Sequence, residues 1–492
     1  MRRPVATTSN DPEKELTFFT LQRWSVTILV SAIFLIWQLV VDWYSMKVAP
    51  STLLGCSFLV GVIFFVESYF KNGARSFARP SSLFILAFIV WYVFGSYVPI
   101  LIDQEMAVQL HTVYFVDKNI RDQFIKLVFN LTIFFVLAVA FIQTFLTVPK
   151  VTLGVSSNYY RVVAFFGVGL SIIGLFFLYL ATFLREILGP TFLMPGVVFS
   201  LAELRYPGLI LLVYSAIISK RYYLALSSCL VAAICILSAW LDLMKTPIIE
   251  TIFVLALVAC RLELIRLKQM MIALVIAIGL WTVLSPLSTV ARDCFWSQKV
   301  CETVDVPERF FQLAKDEAIS GGVFRRLYLT NVTVLGADSF YHGYGLDTFE
   351  KLKFIFIPRI IYPEKPNMSS GGEFASDVRR SSHGGSIGPG FLGEFLMNFG
   401  YSALPLVCSG LLLILFVGDH VYRASFSFNT LYLMPAYFQI TRIATRLDDF
   451  VSTNLFGAIP LILAMTVIAY VVFKLSVLIC ARWPLGAFEG AR

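Results

Sequence analysis

The sequence is short of charged residues, and this shortage excludes an ordinary soluble domain. Only 14% of its 492 residues are Asp, Glu, Lys or Arg, against about a quarter in a typical soluble protein. It has four histidines, too few near its cysteines for a zinc site. Internal repeats, low-complexity tracts and heptads are absent as well, which excludes solenoids and coiled coils. No small-residue cleavage site follows the first apolar run, so we expect an uncleaved anchor in place of a signal peptide.

Apolar residues dominate instead: 58% of the chain is hydrophobic, including 46 phenylalanines. They gather in separate runs, each near the roughly 20 residues with which a helix crosses a bilayer. The sequence therefore predicts an all-α fold, a polytopic transmembrane helical bundle of about 12 spans with one large, partly helical extracytoplasmic loop. The predicted spans are 24–44, 51–69, 81–102, 125–147, 162–184, 205–219, 222–244, 247–260, 269–290, 396–418, 426–441 and 456–478.

The spans divide the chain into three regions. Residues 1–290 hold about nine transmembrane helices, residues 291–395 form the extracytoplasmic loop, and residues 396–492 hold about three more helices. Lysine and arginine concentrate in alternate loops, as the positive-inside bias requires when both termini are cytoplasmic. Anionic lipid at the cytoplasmic surface then explains the net charge of +8, and nucleic acid is not needed as a partner.

The predicted loop concentrates proline, glycine and basic residues near its end. Three prolines keep the segment 356–366 out of a helix, which presents Arg359 and Lys365 beside the membrane. Arg380 and His383 follow in Gly- and Ser-rich sequence, whose backbone amides can approach a ligand closely. Arginine forks beside open amides suit phosphate. The simpler interpretation makes Arg359 and Lys365 solvated or lipid-phosphate contacts, and His383 an ordinary loop residue.

A polar stripe follows at the outer end of the next predicted span. Glu394 and Asn398 stand four residues apart, and Tyr401 follows three residues later, so a helix would place them on one face. An ionisable group at that depth is costly unless it faces protein or water, which makes it a functional candidate. We assign Asn398 and Tyr401 to substrate binding.

Two further basic sites lie at the same predicted membrane face. Arg442, Arg446 and Asp449 share a helical face in ITRIATRLDDF. Lys245 precedes Thr246, a helix cap followed by proline, so it lies near positive helix-end amides that repel it unless an anion is present. Basic groups from distant parts of the chain would thus converge around one anion.

The order of these motifs resembles a known family. PR…YPxKP precedes a Gly-rich stretch, GE…NFG and then R-x-D after the penultimate predicted helix. The matching residues are Pro358, Arg359, Tyr362, Pro363, Lys365, Pro366, Gly393, Glu394, Asn398, Phe399, Gly400, Arg446 and Asp448. Over its C-terminal half the chain resembles the O-antigen and exopolysaccharide repeat-unit polymerases of bacterial envelopes.

The resemblance implies a membrane glycosyltransferase, similar to the metal-independent lipid-linked transferases and without a cofactor. Such enzymes move a growing glycan from its undecaprenyl-diphosphate carrier to a new lipid-linked repeat unit. They act at the outer, periplasmic face of the bacterial inner membrane, and a flippase and a chain-length regulator would be partners.

The residues suit that reaction physically. Departure of the diphosphate develops negative charge, and one preorganised donor is worth roughly a hundred- to a thousandfold in rate. The candidate cations are Arg446, Arg442 and Arg359, supported by Lys245 and Arg380. Glu394 or His383 would accept the proton of the acceptor hydroxyl.

Other interpretations stay open. A glycan ligase would share the carrier diphosphate and the basic site, whereas a lipid-linked-sugar transporter would be no enzyme; we see no inverted repeat typical of transporters. Glu394 could pair with Arg446 and orient it, and Arg446 with Asp449 could form an internal salt bridge. Asp103 and Glu105 match the D-x-E pattern of metal-dependent lipid-linked transferases, although nearby carboxylates are common by chance.

Cys294 and Cys301 lie in CFWSQKVC on the predicted outer loop. An oxidising compartment favours a disulfide between them, with two free thiols as the alternative. We predict that a thiol reagent modifies neither residue in unreduced protein and both after reduction, measured by mass spectrometry of the labelled peptides. Labelling of both without reduction would exclude the bridge.

Overall fold

In this computed structural model, every regular element of the described chain is helical. The described residues are 24–97, 118–146, 157–188, 196–241, 246–266, 268–269, 272, 329–343, 347–354, 357, 362, 364, 366, 374, 388–449 and 451–482. Within them we number the α-helices in chain order: α1 Ser25–Trp43, α2 Pro50–Asn72, α3 Pro80–Phe88, α4 Lys118–Phe145, α5 Ser157–Leu188, α6 Gly196–Ala202, α7 Arg205–Ser219, α8 Tyr222–Leu241, α9 Thr246–Arg261, α10 Leu329–Tyr341, α11 Gly390–Phe399, α12 Leu404–Ser425, α13 Met434–Thr445 and α14 Ala458–Arg482.

Proline and short turns set several of the helix boundaries. Pro50 and Pro80 begin α2 and α3, where the missing N–H would have had no helical partner. A 3₁₀ turn, Ala74–Ala78, joins these two helices, and a π turn, Ile89–Phe94, extends α3. The chain is thus continuous from α2 to the far end of α3.

Eight segments of the described chain are long and apolar enough to cross a membrane. They are 25–43, 50–72, 80–97, 120–145, 159–184, 200–219, 390–425 and 454–482. Each corresponds to a span predicted from the sequence. The predicted spans 222–244, 247–260 and 426–441 coincide with α8, α9 and α13, which are not among the eight. The span 269–290 lies almost entirely outside the described residues, so the total of about 12 stays a prediction.

The outward surface of these helices is apolar. Leu39, Phe141, Leu413 and Val467 are each 64% to 68% exposed. Soluble proteins rarely expose large contiguous apolar patches, whereas a helix in lipid satisfies its backbone internally and can present such side chains outward. The all-α membrane-protein class predicted from the sequence is therefore confirmed for the described chain.

Two hydrophobic cores hold the bundle together. The first joins α2, α3, α4, α11 and α12 around residues such as Phe88 and Phe129. The second joins α5, α7, α8, α9 and α14 around residues such as Phe166 and Leu211. Close glycine contacts tighten the second core, because a Cβ at Gly208 would lie 2.6 Å from the backbone nitrogen of Ser171 in α5.

A buried polar network ties α3, α4 and α12 together. Arg79 and Asp419 are 1% and 0% exposed, and arginine Nε lies 3.0 Å from carboxylate Oδ2. The Ser81 N–H and hydroxyl donate to the same carboxylate at 3.1 and 2.7 Å, at the start of α3 where the helix dipole favours an anion. Gln143 of α4 donates to the Ser82 hydroxyl at 2.7 Å. We call these five residues the Arg79 network.

Part of the predicted loop is packed into the bundle. In α10, Gly336 approaches α11 so closely that a Cβ atom would lie 2.9 Å from the Gly393 carbonyl oxygen. Thr333 donates to the Pro389 carbonyl at 2.8 Å, and Val334 joins the first core. Small residues allow such close helix crossings. The described helix α10 is therefore an integral part of the bundle.

The Arg79 network generates a stability prediction. Replacing Asp419 by Ala leaves Arg79 buried without its carboxylate, and breaking a buried ion pair costs about 3–5 kcal/mol. We expect Asp419→Ala to lower the thermal unfolding midpoint of the purified protein strongly. Glu350→Ala, at a carboxylate that is 65% exposed, is the matched control and should leave the midpoint unchanged. Equal midpoints for the two variants would contradict the network's role.

Candidate functional site

Helix α13 carries Arg442, is followed directly by Arg446, and lies between the two hydrophobic cores. Met434 and Phe438 belong to the second core, whereas Ala444 and, just after the helix, Leu447 belong to the first. Ten of its twelve residues are buried. A charged side chain on such a helix needs a partner inside the protein or access to water.

Arg442 and Arg446 meet two carboxylates from other parts of the chain. Arg442 Nη1 contacts Oε1 of Glu203, which lies between α6 and α7. Its Nε lies 3.0 Å from Oε1 of Glu250 in α9, and Arg446 Nη2 lies 2.6 Å from that same oxygen. Gln439 donates to the second oxygen of Glu203. We call Glu203, Glu250, Arg442 and Arg446 the arginine–glutamate cluster.

The arginine–glutamate cluster is partly open to solvent. The side chains of Arg442 and Arg446 are 22% and 26% exposed, against 12% for Glu250. Arg442 contacts two described carboxylates, whereas Arg446 contacts one and shares it. Because a guanidinium has several N–H donors, Arg446 has donors that contact no carboxylate among the described residues.

Buried contacts at the start of α7 fix the two carboxylates relative to each other. Arg205 donates to the Ala202 carbonyl at 2.7 Å and to the Tyr206 hydroxyl at 3.0 Å. That hydroxyl donates to the Pro247 carbonyl in the first turn of α9, at 3.5 Å. The segment that carries Glu203 is thus tied to the helix that carries Glu250.

Sequence reasoning missed both glutamates of the cluster. Glu203 and Glu250 each stand alone in apolar surroundings, in SLAELRY and TPIIETIF. An ionisable residue in an apolar run is itself a signal, and applied to every such residue it would have found them. The arginines were predicted to share a face, and they do contact one carboxylate oxygen.

Glu394 is fully buried and joins two segments. The Thr348 hydroxyl donates to its Oε1 at 2.6 Å, and the Ser452 backbone N–H donates to its Oε2 at 3.0 Å. Asn398 donates to the Thr348 hydroxyl at 3.0 Å and accepts from the Thr348 N–H at 3.1 Å. A buried carboxylate is tolerated when its oxygens accept such bonds. We call Glu394, Asn398, Thr348 and Ser452 the Glu394 clamp.

The Glu394 clamp helps to fix the segment 446–454, which begins with Arg446. Phe391 donates its N–H to the Leu447 carbonyl at 2.8 Å, and the Tyr92 hydroxyl donates to the same carbonyl at 3.4 Å. A direct pair between the clamp's carboxylate and Arg446 is absent from the described contacts. The clamp therefore acts on Arg446 through the backbone.

Aromatic rings surround the clamp. The Phe349 ring lies 5.1 Å from Phe395 and 6.1 Å from Phe456, measured between centroids. Phe349 begins a 3₁₀ turn, Phe349–Phe354, so it secures the turn that follows Thr348. On the exposed side of this turn, a hydrogen bond from Lys353 lowers the pKa of Glu350, which leaves that carboxylate ionised in solvent.

The predicted stripe of Glu394, Asn398 and Tyr401 is interrupted by the end of α11. Gly400 has φ +62°, a left-handed conformation that favours glycine, and it ends the helix. Tyr401 then lies in a 3₁₀ turn and stacks on Tyr341 with centroids 6.0 Å apart. Two members of the stripe thus share the clamp, and the third belongs to an aromatic contact.

Several predicted residues lie outside the described chain, so their roles stay predictions. They are Asp103, Glu105, Lys245, Cys294, Cys301, Arg359, Lys365, Arg380 and His383. Lys245 directly precedes α9 in sequence, the helix that carries Glu250.

A groove of about 620 Å³ lies apart from these polar groups. It runs between α4 and α12 and is lined by apolar side chains, including Phe134, Phe141 and Phe416. Without polar groups it offers nothing for acid–base or anion chemistry. The arginine–glutamate cluster is therefore the better candidate site.

The clamp can be tested by mutation. Glu394→Ala leaves the Ser452 N–H and the Thr348 hydroxyl without their acceptor, at a cost of about 1–3 kcal/mol for each buried group. We expect a lower thermal unfolding midpoint than for Thr348→Val, which removes one hydroxyl. The unfolding midpoint of Glu394→Gln should lie between those of the other two variants, because its amide NH₂ would face one of the two hydrogen-bond donors. A wild-type midpoint for Glu394→Ala would contradict the clamp.

Comparison with known proteins finds no match for this chain among family models, curated proteins or solved structures. The residues of the chain and their geometry are therefore the basis for assigning a function.

Proposed function

We propose that this protein is a membrane glycosyltransferase that polymerises lipid-linked oligosaccharide repeat units. Undecaprenyl-diphosphate-linked glycans would be both donor and acceptor. The observation that carries the proposal is the meeting of Arg442 and Arg446 with carboxylates from two other segments, partly open to solvent. Such a set of ionised groups inside an apolar bundle is costly and marks a functional site.

The depth of the cluster supports a site on the periplasmic face. In α9, Glu250 and Arg261 are separated by about 16 Å of helix. The Arg261 guanidinium lies 5.4 Å from the Tyr422 ring, whose hydroxyl donates to the Arg75 carbonyl at 3.1 Å. Arg261 and Arg75 belong to predicted cytoplasmic loops, so the cluster lies toward the other face. With cytoplasmic termini, about 12 spans and a periplasmic loop, as the proposal has them, this other face is the periplasmic one.

The proposed reaction needs a cationic site. The bond between the donor sugar's anomeric carbon and the diphosphate oxygen breaks, and the acceptor hydroxyl forms the new glycosidic bond as it loses a proton. Negative charge grows on the leaving diphosphate. Arg446 would bind it through the donors that contact no described carboxylate, and Arg442 would support it; one such donor contributes roughly 10²- to 10³-fold in rate.

The proton acceptor would be His383 in preference to Glu394. Both carboxylate oxygens of Glu394 already accept hydrogen bonds, and the side chain is fully buried. A general base must reach the acceptor hydroxyl directly or through one water. Glu394 then serves as the scaffold that holds the segment 446–454.

A transporter of lipid-linked sugars is the second candidate. The Arg79–Asp419 pair favours a transporter. Together with the arginine–glutamate cluster it gives ion pairs at two depths of the bundle, and such pairs could close a substrate path from either side of the membrane. That pair is sealed, however, with exposures of 1% and 0%, whereas the cluster is partly open. This difference in exposure between the two sites favours a reaction at the membrane face where the cluster lies. A ligase would use the same site with a different acceptor.

Loss of Arg446 provides the test. Arg446→Ala and Arg359→Ala should abolish chain extension by purified protein supplied with lipid-linked repeat units, leaving single units in place of a gel ladder. Arg423→Ala, at an exposed arginine of α12, is the matched control and should keep the ladder.

Three results would reject the assignment. A wild-type ladder from Arg446→Ala would remove Arg446 from the site. Transport across sealed vesicles by wild type without a ladder would identify a transporter, and a single transfer to a different acceptor would identify a ligase.

A further inference from the structure

We infer that Glu250 is a positioning residue that binds both guanidinium groups and sets the spacing at which they meet the substrate's phosphate. The inference rests on the proposed function for the identity of that substrate. It concerns a carboxylate that lies on a different helix from the arginines it contacts.

The geometry singles out one oxygen. Glu250 Oε1 lies 3.0 Å from Arg442 Nε and 2.6 Å from Arg446 Nη2. Glu203 engages Arg442 Nη1. The donors of the two arginines that no described carboxylate contacts are therefore Arg442 Nη2 and Arg446 Nε and Nη1. A tetrahedral phosphate has the acceptor oxygens to use them.

Electrostatics explain why the shared oxygen matters. Arg442 and Arg446 both lie within 3.0 Å of one carboxylate oxygen, so their two like charges are close together and repel each other. Partial burial weakens solvent screening and strengthens that repulsion. A carboxylate that contacts both guanidiniums cancels it and draws them toward one point. Without this charge the two cations would move apart, and a phosphate would find them at the wrong separation.

A structural salt bridge gives a different expectation from a positioning residue. Glu250→Gln keeps the size and one acceptor oxygen but removes the negative charge. Added positive potential should hold or strengthen anion binding, while misplacement of the catalytic donors should lower turnover, an effect that reaches about a hundredfold for a 1 Å displacement. A purely structural role would lower stability and leave the turnover of the folded fraction unchanged.

The first experiment compares Glu250→Gln and Glu250→Asp with wild type. Inorganic pyrophosphate is the probe, its affinity measured from the rise in thermal unfolding midpoint in detergent, and kcat and KM come from the ladder assay. We expect wild-type or tighter pyrophosphate affinity and a kcat lowered about a hundredfold for Glu250→Gln. Glu250→Asp keeps the negative charge, but its side chain is one methylene shorter, so the carboxylate lies farther from the two arginines. The arginines should then lose their spacing, and pyrophosphate binding should weaken. A wild-type kcat in Glu250→Gln, or no binding of pyrophosphate to wild type, would overturn the inference.

A charge exchange separates pairing from positioning. Arg446→Glu alone should lower the unfolding midpoint, because it sets two carboxylates against each other. The double variant Glu250→Arg, Arg446→Glu restores an opposite-charge pair between these two positions but places a second cation beside Arg442, so it should recover part of the lost midpoint. The exchange nevertheless places a carboxylate where the anion should bind, so neither pyrophosphate stabilisation nor the ladder should return. Recovery of the ladder would show that pairing alone matters and would reject the inference.

The failure of the proposed function can be told apart from the failure of this inference. If pyrophosphate stabilises wild type but no ladder forms, polymerisation is rejected. The binding measurements then decide on Glu250 alone: weaker binding in Glu250→Asp supports positioning, and unchanged binding in both variants refutes it.

Discussion

The pairing of ionised side chains inside an apolar bundle is the constraint on which this structure depends. An isolated buried charge costs several kcal/mol, roughly, and is tolerated only with a partner or with water. Because α13 is almost entirely buried, Arg442 on this helix and Arg446 directly after it require carboxylates from elsewhere in the chain. Glu203 and Glu250 supply them, and this requirement fixes α7 and α9 against α13. Charge compensation thus adds to the packing of the two hydrophobic cores in joining the end of α13 to α9 and to the segment between α6 and α7.

The Arg79 network and the arginine–glutamate cluster differ in exposure and in how many donors and acceptors are already paired. This difference separates a structural anchor from a candidate active site. Asp419 accepts from Ser81 twice and contacts Arg79, and almost none of this is exposed. Such a site has no exposed donor or acceptor with which to bind a ligand, so its role is to hold helices together. Arg446 shares its one described carboxylate and is a quarter exposed. Within the described residues its remaining donors contact no carboxylate, which is the property that the proposed site for an anionic substrate needs.

Local features were predictable from the sequence, and contacts between distant segments were not. Eight apolar segments match predicted spans because hydrophobic length is a property of the run itself. The shared face of Glu394 and Asn398 follows from helical spacing, and both residues lie within α11. Helical spacing could not predict the partners of the polar residues, because these partners come from other segments: Thr348 and Ser452 for Glu394, and Glu250 for the arginines. The predicted span 396–418 makes Gly400 part of a continuous helix, whereas the Gly400 backbone has φ +62° and ends α11.

The position of Arg446 shows why those distant contacts decide the chemistry. A continuous helix would set Arg442 and Arg446 one turn apart on the same face. Arg446 instead has φ −97° and ψ 63° and lies just beyond the helix, so the segment 446–454 determines where its guanidinium goes. That segment is held by Glu394 through Ser452 and by α11 through the Leu447 carbonyl. The first core therefore places one arginine, the buried helix places the other, and Glu250 brings both to one oxygen. A site assembled in this way depends on the relative position of both cores, so a small displacement between them changes the distance between its cations.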